Sequence, residues 1–342
     1  MMKKKLVILF TSIFILILAV SGLASYQLFF TCPVKTAVPH LIYIDANDNL
    51  DSICVKMEKD LQAGPLTGLK ILASFTNYTE NIHSGAYRFG PQDNMLSIFK
   101  TLKRGHQTPV RLVVPSVRTI GQLLQRVSPQ IMADSAEIAA LLNDSLFCDS
   151  LGFNKQTLPA FFIPNTYEVY WNMDARGFIR RMHREYDAFW NKERKEKAHS
   201  LNLDPLEVSI LASIVEEETA NNAEKPKVAG LYMNRLKLGM PLQADPTIKF
   251  SLQDFALKRI LFKHLEVDSP YNTYKNIGLP PGPIRIPSVT GLNSVLNRAD
   301  HKYLYMCAKE DFSGTHNFAT SLSAHMRNAR RYQQALNRLK IK

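Results

Sequence analysis

The chain has 342 residues, of which 46% are hydrophobic and 21% charged, and its formal net charge is +12 at pH 7. This composition excludes a mainly disordered chain and suffices for two or three folded domains. The positive charge suits nucleic acid, an anionic membrane surface or an acidic polymer. Because the sequence has no zinc knuckle, RNP signature or glycine-rich phosphate loop, we expect no nucleic-acid partner.

Four cysteines lie far apart in the sequence, at Cys32, Cys54, Cys148 and Cys307. Neither they nor the histidines have the spacing of metal ligands, so we expect no metal and no cofactor. In an oxidising compartment the cysteines could form one or two disulfides. Buried, unpaired thiols would explain them equally well, and the sequence leaves both possibilities open.

The N-terminal segment predicts a membrane anchor. Three lysines, Lys3 to Lys5, precede an uncharged run of 25 residues from Leu6 to Phe30, long enough to cross a hydrocarbon core of about 30 Å. Because such lysines stay in the cytoplasm, residues 1–5 would be a cytoplasmic tail. The chain would then cross the membrane once, and its C-terminal domain would be exported. A signal peptide cleaved near Ser25 is the alternative, and we favour the anchor because apolar residues continue beyond that site.

Residues 40–130 predict a small α+β subdomain. Strands are expected at Ile42–Ile44, Ala86–Phe89 and Val110–Val114, and each is followed by a helical apolar stripe. The order Asp-Asn-x-x-Ser-Ile occurs twice, at residues 48–53 and 93–98. The segment from Tyr87 to Ile98 resembles a LysM module, a fold that binds cell-wall glycan. A folded spacer without a binding function is the alternative.

Residues 131–200 are expected to be mainly helical. We predict one helix over residues 134–150 and a longer one that starts before Phe178 and ends near Lys197. The run at 160–170 between them is aromatic and β-prone, and Pro164 interrupts it. Aromatic side chains of this kind can stack on sugar rings, although most such runs are simply core.

A helix is predicted to begin at Pro205. Asp204 is a good N-cap, Pro205 suits the first helical position, and Glu207 stands where a capping box needs an acid. A second helix should run through Val228 and end at Gly239.

Three consecutive glutamates, Glu216 to Glu218, end the helix that begins at Pro205. At about 100° per residue, Leu211, Ile214 and Val215 lie within roughly 60° of Glu218. Glu218 therefore continues the apolar stripe, whereas Glu217 falls at its edge and Glu216 on the opposite side. A carboxyl group in apolar surroundings has a raised pKa, as a general acid needs near neutral pH. The alternative is a helix that surfaces after Val215 and leaves all three glutamates in solvent.

The C-terminal part of the chain is predicted to contain a stiff loop, a strand and a helix. Prolines and glycines at residues 278–284 exclude a helix or a central strand there. Tyr303 to Met306 is typical of a buried strand, and a basic helix is expected from about Ser323 to Lys342.

A set of ordered motifs makes the chain similar to a known family. They are Ala212-Ser213-Ile214-Val215-Glu216-x-Glu218-Thr219, Asn234-Arg235-Leu236, Leu242-Gln243-x-Asp245-Pro246-Thr247, Tyr271-Asn272-Thr273-Tyr274, Gly278-Leu279-Pro280-Pro281-Gly282-x-Ile284 and His316-x-Phe318. Together they resemble the YceG-like endolytic murein transglycosylase family over about residues 40–335. The resemblance implies an α+β fold with a catalytic domain over residues 131–342. Asn317 and Asn165 depart from the family pattern, which leaves their roles open.

The resemblance implies that Glu218 is the catalytic residue, in agreement with the helical projection. Such an enzyme cleaves the bond between N-acetylmuramic acid and N-acetylglucosamine inside a glycan strand without using water, and it leaves a 1,6-anhydro end. Its partners would be peptidoglycan glycan strands, the membrane and peptidoglycan synthases. Our candidates for holding the sugar are Gln243, Asp245, Asn272, Tyr274 and His316, and each alone could equally be a structural residue.

Two other functions are consistent with parts of the sequence. One is a non-catalytic, membrane-tethered protein that binds the cell wall or serves as a division scaffold through the LysM-like region. The other is a cytosolic pyridoxal-phosphate lyase, which would need a Schiff-base lysine in a cytosolic cofactor domain. The predicted anchor and export argue against that lyase.

Overall fold

The computed structural model describes residues 2–257 and 259–339, and the last residues of the predicted C-terminal helix lie outside this range. The chain forms two compact units. The first comprises residues up to Leu112 together with 130–132 and 168–173, and the second comprises residues 113–129, 133–167 and those from Asp174 onward. These units give residues 113–129 to the second unit, whereas the sequence placed the subdomain boundary at residue 130.

The first unit begins with helix α1 (Met2–Phe29). Its part from Lys4 to Phe29 is 26 residues long, exposed, and apolar enough to cross a membrane. The last turn of α1 lies against helix α3, because a Cβ added to Gly68 of α3 would collide with the carbonyl oxygen of Leu28. The helix therefore joins the rest of the unit through a packed contact.

A two-stranded sheet and three helices form the rest of the first unit. Strand β1 (His40–Ile44) pairs antiparallel with β2 (Gly85–Phe89), and Ile42 lies opposite Tyr87. Helices α2 (Leu50–Asp60), α3 (Thr67–Ser74) and α4 (Met95–Arg104) cover this sheet with a shared apolar core. The predicted strands and helices of this region are confirmed.

The repeated Asp-Asn-x-x-Ser-Ile segments are helix caps. The Asn49 side chain accepts a hydrogen bond from the Ser52 amide at the start of α2, and Asn94 does the same for Ser97 at the start of α4, both at 2.9 Å. A free amide at a helix N-terminus needs such a partner, which explains the repeat without a ligand. The resemblance to LysM stays a prediction.

Between these segments and the C-terminal half, strand β3 (Val110–Val114) and β4 (Asn165–Val169) form a second two-stranded sheet. Helices α5 (Ile120–Val127), α6 (Ser135–Asn143) and α7 (Ser145–Ser150) lie between them in sequence. The single helix predicted over 134–150 was wrong. Asp144 caps a new helix there by accepting hydrogen bonds from the amides of Leu146 and Phe147.

The long helix predicted to end near Lys197 is also two helices, α8 (Ala175–Phe189) and α9 (Lys192–Ser200). Asn191 starts the second, because its side chain accepts a hydrogen bond from the Arg194 amide at 3.0 Å. A side-chain cap thus separates α9, which is mainly charged, from α8 and its apolar face.

Helix α10 (Pro205–Glu218) is the centre of the second unit. It begins as predicted, with Asp204 and Glu207 forming a capping box. Every residue from Val208 to Val215 is buried, including Ser209 and Ser213 on the side opposite the apolar stripe. The one-sided burial expected from the projection was therefore wrong. Ser213 is satisfied there by accepting a hydrogen bond from the Ile284 amide at 3.0 Å.

The remaining elements surround α10 or follow it. They are α11 (Lys225–Lys237), α12 (Asp245–Leu252), α13 (Phe262–Leu265), α14 (Val289–Leu296), β5 (Tyr305–Ala308), β6 (His316–Ala319) and α15 (Leu322–Arg338). Strands β5 and β6 pair antiparallel. The strand predicted from Tyr303 begins later and is half-buried, since it belongs to a sheet of two strands. The predicted α+β class is confirmed.

Close helix packing in the second unit gives a test of the fold. A Cβ added to Gly230 in α11 would collide with the carbonyl oxygen of Ala299, so Gly230→Ala should destabilise the protein by about 1–3 kcal/mol. Gly121 lies in exposed helix α5 with its nearest neighbour, the Thr119 hydroxyl, at 3.9 Å. Gly121→Ala should stabilise by up to about 1 kcal/mol because alanine favours helix. Urea unfolding of the two variants would measure these opposite shifts, and equal shifts would contradict the packing.

Candidate active site

The last residue of α10, Glu218, lies in a cleft of the second unit with a volume of about 280 Å³. Its Oε1 accepts a hydrogen bond from the Tyr232 hydroxyl on α11 at 2.7 Å. Besides these two residues, the polar lining comprises Arg235, Gln243, Asp245, Tyr274 and His316. Of the five predicted sugar-holding residues, the structure thus brings four together with Glu218.

The surroundings of Glu218 favour its neutral form. Removal of the carboxyl group from water raises the pKa of Glu218 to about 7, and the negative charge of Asp245 acts in the same direction. The Tyr232 hydrogen bond and the cations Arg235 and Lys249 oppose this rise. Across residues 2–257 and 259–339, Glu218 has no salt bridge. A carboxyl group with such a pKa can give up a proton at neutral pH and take one back.

Glu216 is held in a buried network. Its Oε1 lies 3.2 Å from the Lys225 Nζ, and both side chains are almost fully buried. Its Oε2 accepts hydrogen bonds from the Ser288 amide at 3.2 Å and the Ser288 hydroxyl at 2.6 Å. Ser288 caps α14, so Glu216 ties the end of α10 to the start of that helix. Lys225 therefore neutralises Glu216 inside the fold.

Glu217 is paired with two arginines. Arg118 donates from Nε and Nη2 to both carboxylate oxygens at 2.9 Å, and Arg285 donates to Oε1 at 2.8 Å. These bidentate contacts leave little carboxylate surface for a ligand. The three consecutive glutamates therefore have different environments, and Glu218 alone lines the cleft.

Asp245 and Tyr274 form a pair at the cleft wall. The Tyr274 hydroxyl donates to Asp245 Oδ1 at 2.5 Å, and burial together with that carboxylate raises the pKa of Tyr274. Gln243 is exposed and adopts a left-handed backbone conformation with φ of 50°. Its backbone amide donates to the carbonyl of Thr273 at 3.0 Å, and the residue lines the cleft.

Asn272 does not line the cleft, which corrects its prediction as a sugar-holding residue. Its side chain is fully buried and donates to the carbonyls of Leu265 and Val267, both at 2.8 Å. Its Oδ1 accepts from the Tyr274 amide at 3.0 Å. With its amide occupied in this way, Asn272 shapes the loop that presents Tyr274.

His316 is fixed by a glutamate that the sequence did not single out. Its Nδ1 lies 2.9 Å from Glu224 Oε2, and its backbone amide donates to Glu224 Oε1 at 2.8 Å. Glu224 is buried, so the interaction is sheltered from water. With Nδ1 occupied, Nε2 is the ring nitrogen left for a ligand in the cleft.

Tyr232 and Arg235 were also missed as parts of the site. In the sequence, Tyr232 lies among the apolar residues of its helix. A buried phenol needs a hydrogen-bond partner, and this requirement is the signal that could have identified Tyr232. Arg235 stood in the Asn-Arg-Leu motif, but its guanidinium donates to the carbonyls of Leu304 and Leu242 at 2.7 and 2.8 Å. Arg235 therefore supports the cleft and supplies positive charge.

The sequence model of the YceG-like family matches residues 42–331 of the chain. The chain belongs to the YceG-like family. A crystal structure of a yceG-like protein from Listeria monocytogenes has a TM-score of 0.58 and 27% sequence identity, and the match covers 84% of this chain and 98% of that chain. The family membership and the shared fold confirm the resemblance found in the sequence motifs.

Two relatives of this YceG-like chain are named endolytic murein transglycosylases. The Bacillus subtilis (strain 168) protein is 29% identical over 243 aligned positions, and the match covers 66% of this chain and 66% of that protein. The Streptococcus pneumoniae (strain ATCC BAA-255 / R6) protein is 26% identical over 362 aligned positions, and the match covers 92% of this chain and 63% of that protein. The chain thus spans slightly less than two thirds of the length of these relatives.

The hydrogen bond from Tyr232 gives a test of the electrostatics in this YceG-like cleft. It stabilises the ionised form of Glu218, so Tyr232→Phe should raise the pKa of Glu218 further above about 7. A titration of the Glu218 carboxyl carbon by NMR would measure the pKa. Tyr303→Phe, outside the cleft lining, is the control and should leave it unchanged. A lower pKa in Tyr232→Phe would contradict the assigned hydrogen bond.

Proposed function

We propose that the chain is a membrane-anchored endolytic murein transglycosylase that uses Glu218 as its acid and base. The observation that carries the proposal is that Glu218, with a pKa of about 7, lies in a cleft lined by amide, hydroxyl and imidazole groups. The names of the relatives and the family membership support the substrate class.

The reaction begins with Glu218 in its neutral form. Its proton passes to the oxygen of the bond between N-acetylmuramic acid and N-acetylglucosamine, and the bond from that oxygen to C1 breaks. Glu218, now a carboxylate, takes the proton of the C6 hydroxyl of the muramic acid, whose oxygen then bonds to C1. The product is a 1,6-anhydro end, no water is consumed, and Glu218 regains its proton.

The other cleft residues hold the sugar and the developing charge. Gln243 and His316 Nε2 are placed to bond hydroxyl or N-acetyl groups, and preorganised groups of this kind lower the barrier without moving. Asp245 is the second carboxylate at the cleft, and a hydrolytic enzyme would use such a group as base or nucleophile. The Tyr274 hydroxyl already occupies one Asp245 oxygen, which favours a supporting role.

The helix at the N-terminus supports an anchor in the cytoplasmic membrane, with the catalytic unit in the periplasm. The first unit would bind glycan beside the membrane, in line with its resemblance to LysM. Under this proposal, peptidoglycan synthases supply the nascent strand, and a cut inside it ends polymerisation. The alternative, a non-catalytic wall-binding or scaffold protein, would need no carboxyl group of raised pKa in a cleft.

The three glutamates separate catalysis from structure. In the full-length chain, Glu218→Gln keeps size and polarity but removes the proton, so formation of anhydro ends should fall by roughly 10²–10⁴-fold. Glu217→Gln should lower the activity less than Glu218→Gln does, because Glu217 does not line the cleft. Glu216→Gln leaves Lys225 buried without its anion and should lower stability by about 3 kcal/mol, while the folded fraction still makes anhydro ends.

Mass spectrometry of digested glycan strands would measure the products of these three variants, and circular dichroism would confirm that each is folded. Internal cuts with anhydro ends are expected. Reducing ends alone would mean hydrolysis. A folded Glu218→Gln with near-normal activity would show that another residue is the acid.

The pH dependence follows from the raised pKa of Glu218. Since the acid must carry its proton, kcat/KM should fall about tenfold per pH unit above pH 7. The free energy of unfolding also falls as the pH rises. The unfolded chain loses this proton above pH 4.5 and the folded chain only near 7, so the contribution to stability is lost between these values. Glu218→Gln should therefore gain stability relative to the parent at pH 8, and thermal unfolding at pH 4 and 8 would check this.

Membrane attachment has a direct test. Cells expressing the full-length chain should retain it in the membrane fraction with its N-terminus intact, and added protease should reach the catalytic unit only from the periplasmic side. A soluble product with a mature N-terminus near Ser25 would instead mean a cleaved signal peptide.

A further inference from the structure

The second unit contains another cavity, outside the catalytic cleft, with a volume of about 590 Å³. Side chains of α5, α6 and α12 and of the adjoining loops line it. Most of them are apolar, among them Ile120, Leu124, Leu142, Leu158, Phe250 and Tyr271. A concave, mainly apolar surface of this size with a few polar groups is typical of a ligand site.

Two cations stand at this cavity. Arg118 and Lys155 line it, and none of the described lining residues is acidic. Arg118 uses Nε and Nη2 on Glu217, and its guanidinium lies 5.2 Å from the centre of the Phe255 ring. These contacts hold the guanidinium in place and leave Nη1 for a further anion. Lys155 is exposed, so the cavity combines an apolar floor with a positive rim.

The same segments that build the catalytic cleft also build this cavity. Asp245, the first residue of α12, lines the cleft, and Phe250 of the same helix lines the cavity. Five residues of helix correspond to about 7.5 Å. In the loop over residues 271–274, Tyr274 likewise lines the cleft and Tyr271 lines the cavity. The Tyr271 ring packs on the Phe250 ring with 4.7 Å between their centres.

We propose that this cavity binds the peptide stem carried by the muramic acid of the glycan strand. The proposal rests on the proposed function, because only a strand containing muramic acid carries such a stem. The carboxylates of the peptide pair with Arg118 and Lys155, and its alanine methyl groups contact the apolar floor. Two or three extended residues span about 7–10 Å, which is comparable to the axial rise of about 7.5 Å from Asp245 to Phe250.

The cavity therefore acts as a specificity site. A strand whose stems are intact gains contacts that a strand stripped of peptides lacks, and these contacts help to seat its sugars in the cleft.

The test compares two substrates of the full-length chain in detergent micelles. One is a set of glycan strands with intact uncrosslinked peptide stems, and the other is the same strands after an amidase has removed the stems. Lys155→Glu reverses the charge at the rim, and Ala139→Phe fills the cavity from α6. In both variants the ratio of kcat/KM on intact strands to kcat/KM on stripped strands should fall at least tenfold.

Matched controls lie outside the cavity. Lys195→Glu makes the same charge change on exposed helix α9, and Ala136→Phe adds the same side chain to an exposed position of α6. Both should keep the ratio of the parent chain. An unchanged ratio in Lys155→Glu and Ala139→Phe, or an equal fall in the controls, would overturn the peptide site.

A binding measurement separates this proposal from the proposed function. Calorimetric titration with N-acetylmuramoyl-L-alanyl-D-glutamate should give saturable binding that Lys155→Glu weakens at least tenfold and Lys195→Glu does not. If the parent chain cuts neither kind of strand, the transglycosylase proposal fails, and the titration still decides whether the cavity takes the peptide. Absence of binding to the parent chain would overturn the peptide site even if stripped strands are cut.

Discussion

Burial of the Glu218 carboxyl group at the end of α10 is the constraint on which the site depends. The side chains of Glu216, Glu217 and Glu218 extend from the last turn of α10, where the helix dipole already places partial negative charge. The first two are neutralised by buried or half-buried cations. Glu218 receives a neutral hydrogen bond from Tyr232 instead. Burial of its carboxyl group, helped by the charge of Asp245, therefore keeps the proton on Glu218 up to a pH of about 7, whereas its two neighbours are paired with cations.

The pairs that neutralise Glu216 and Glu217 also position Glu218. Arg118 follows strand β3, Arg285 follows the proline-rich loop, and Ser288 caps α14, so the end of α10 is held by segments far apart in sequence. Each contact restricts the same short stretch of backbone. A carboxyl group fixed in this way needs little reorganisation when charge develops on a bound sugar.

Local signals in the sequence predicted much of this arrangement, whereas tertiary contacts decided the rest. The cap at Asp204 and the apolar stripe ending at Glu218 depend on neighbours a few residues away, so they could be found in one sequence. The breaks at Asp144 and Asn191 were missed because helix-forming residues stand on both sides of each cap, so only the side-chain hydrogen bonds of the folded chain show the interruption. The partners Tyr232 and Glu224, the structural role of Asn272 and the burial of α10 on all sides depend on segments that meet only in the folded chain. Such contacts have no sequence period, which is why the motifs placed Asn272 with the sugar-holding residues.

The pKa of Glu218 has a consequence for inhibitors. A cationic sugar mimic, such as an iminosugar, is attracted by a carboxylate, whereas a neutral lactone mimic that accepts a hydrogen bond needs the acid form. Glu218 changes between its neutral and ionised forms at a pH of about 7, so the two kinds of compound bind different protonation states of the protein. Affinity for the cationic compound therefore rises on the alkaline side of this pH, and affinity for the neutral compound rises on the acid side. The charge of such a compound thus sets the pH range in which it binds the cleft most tightly.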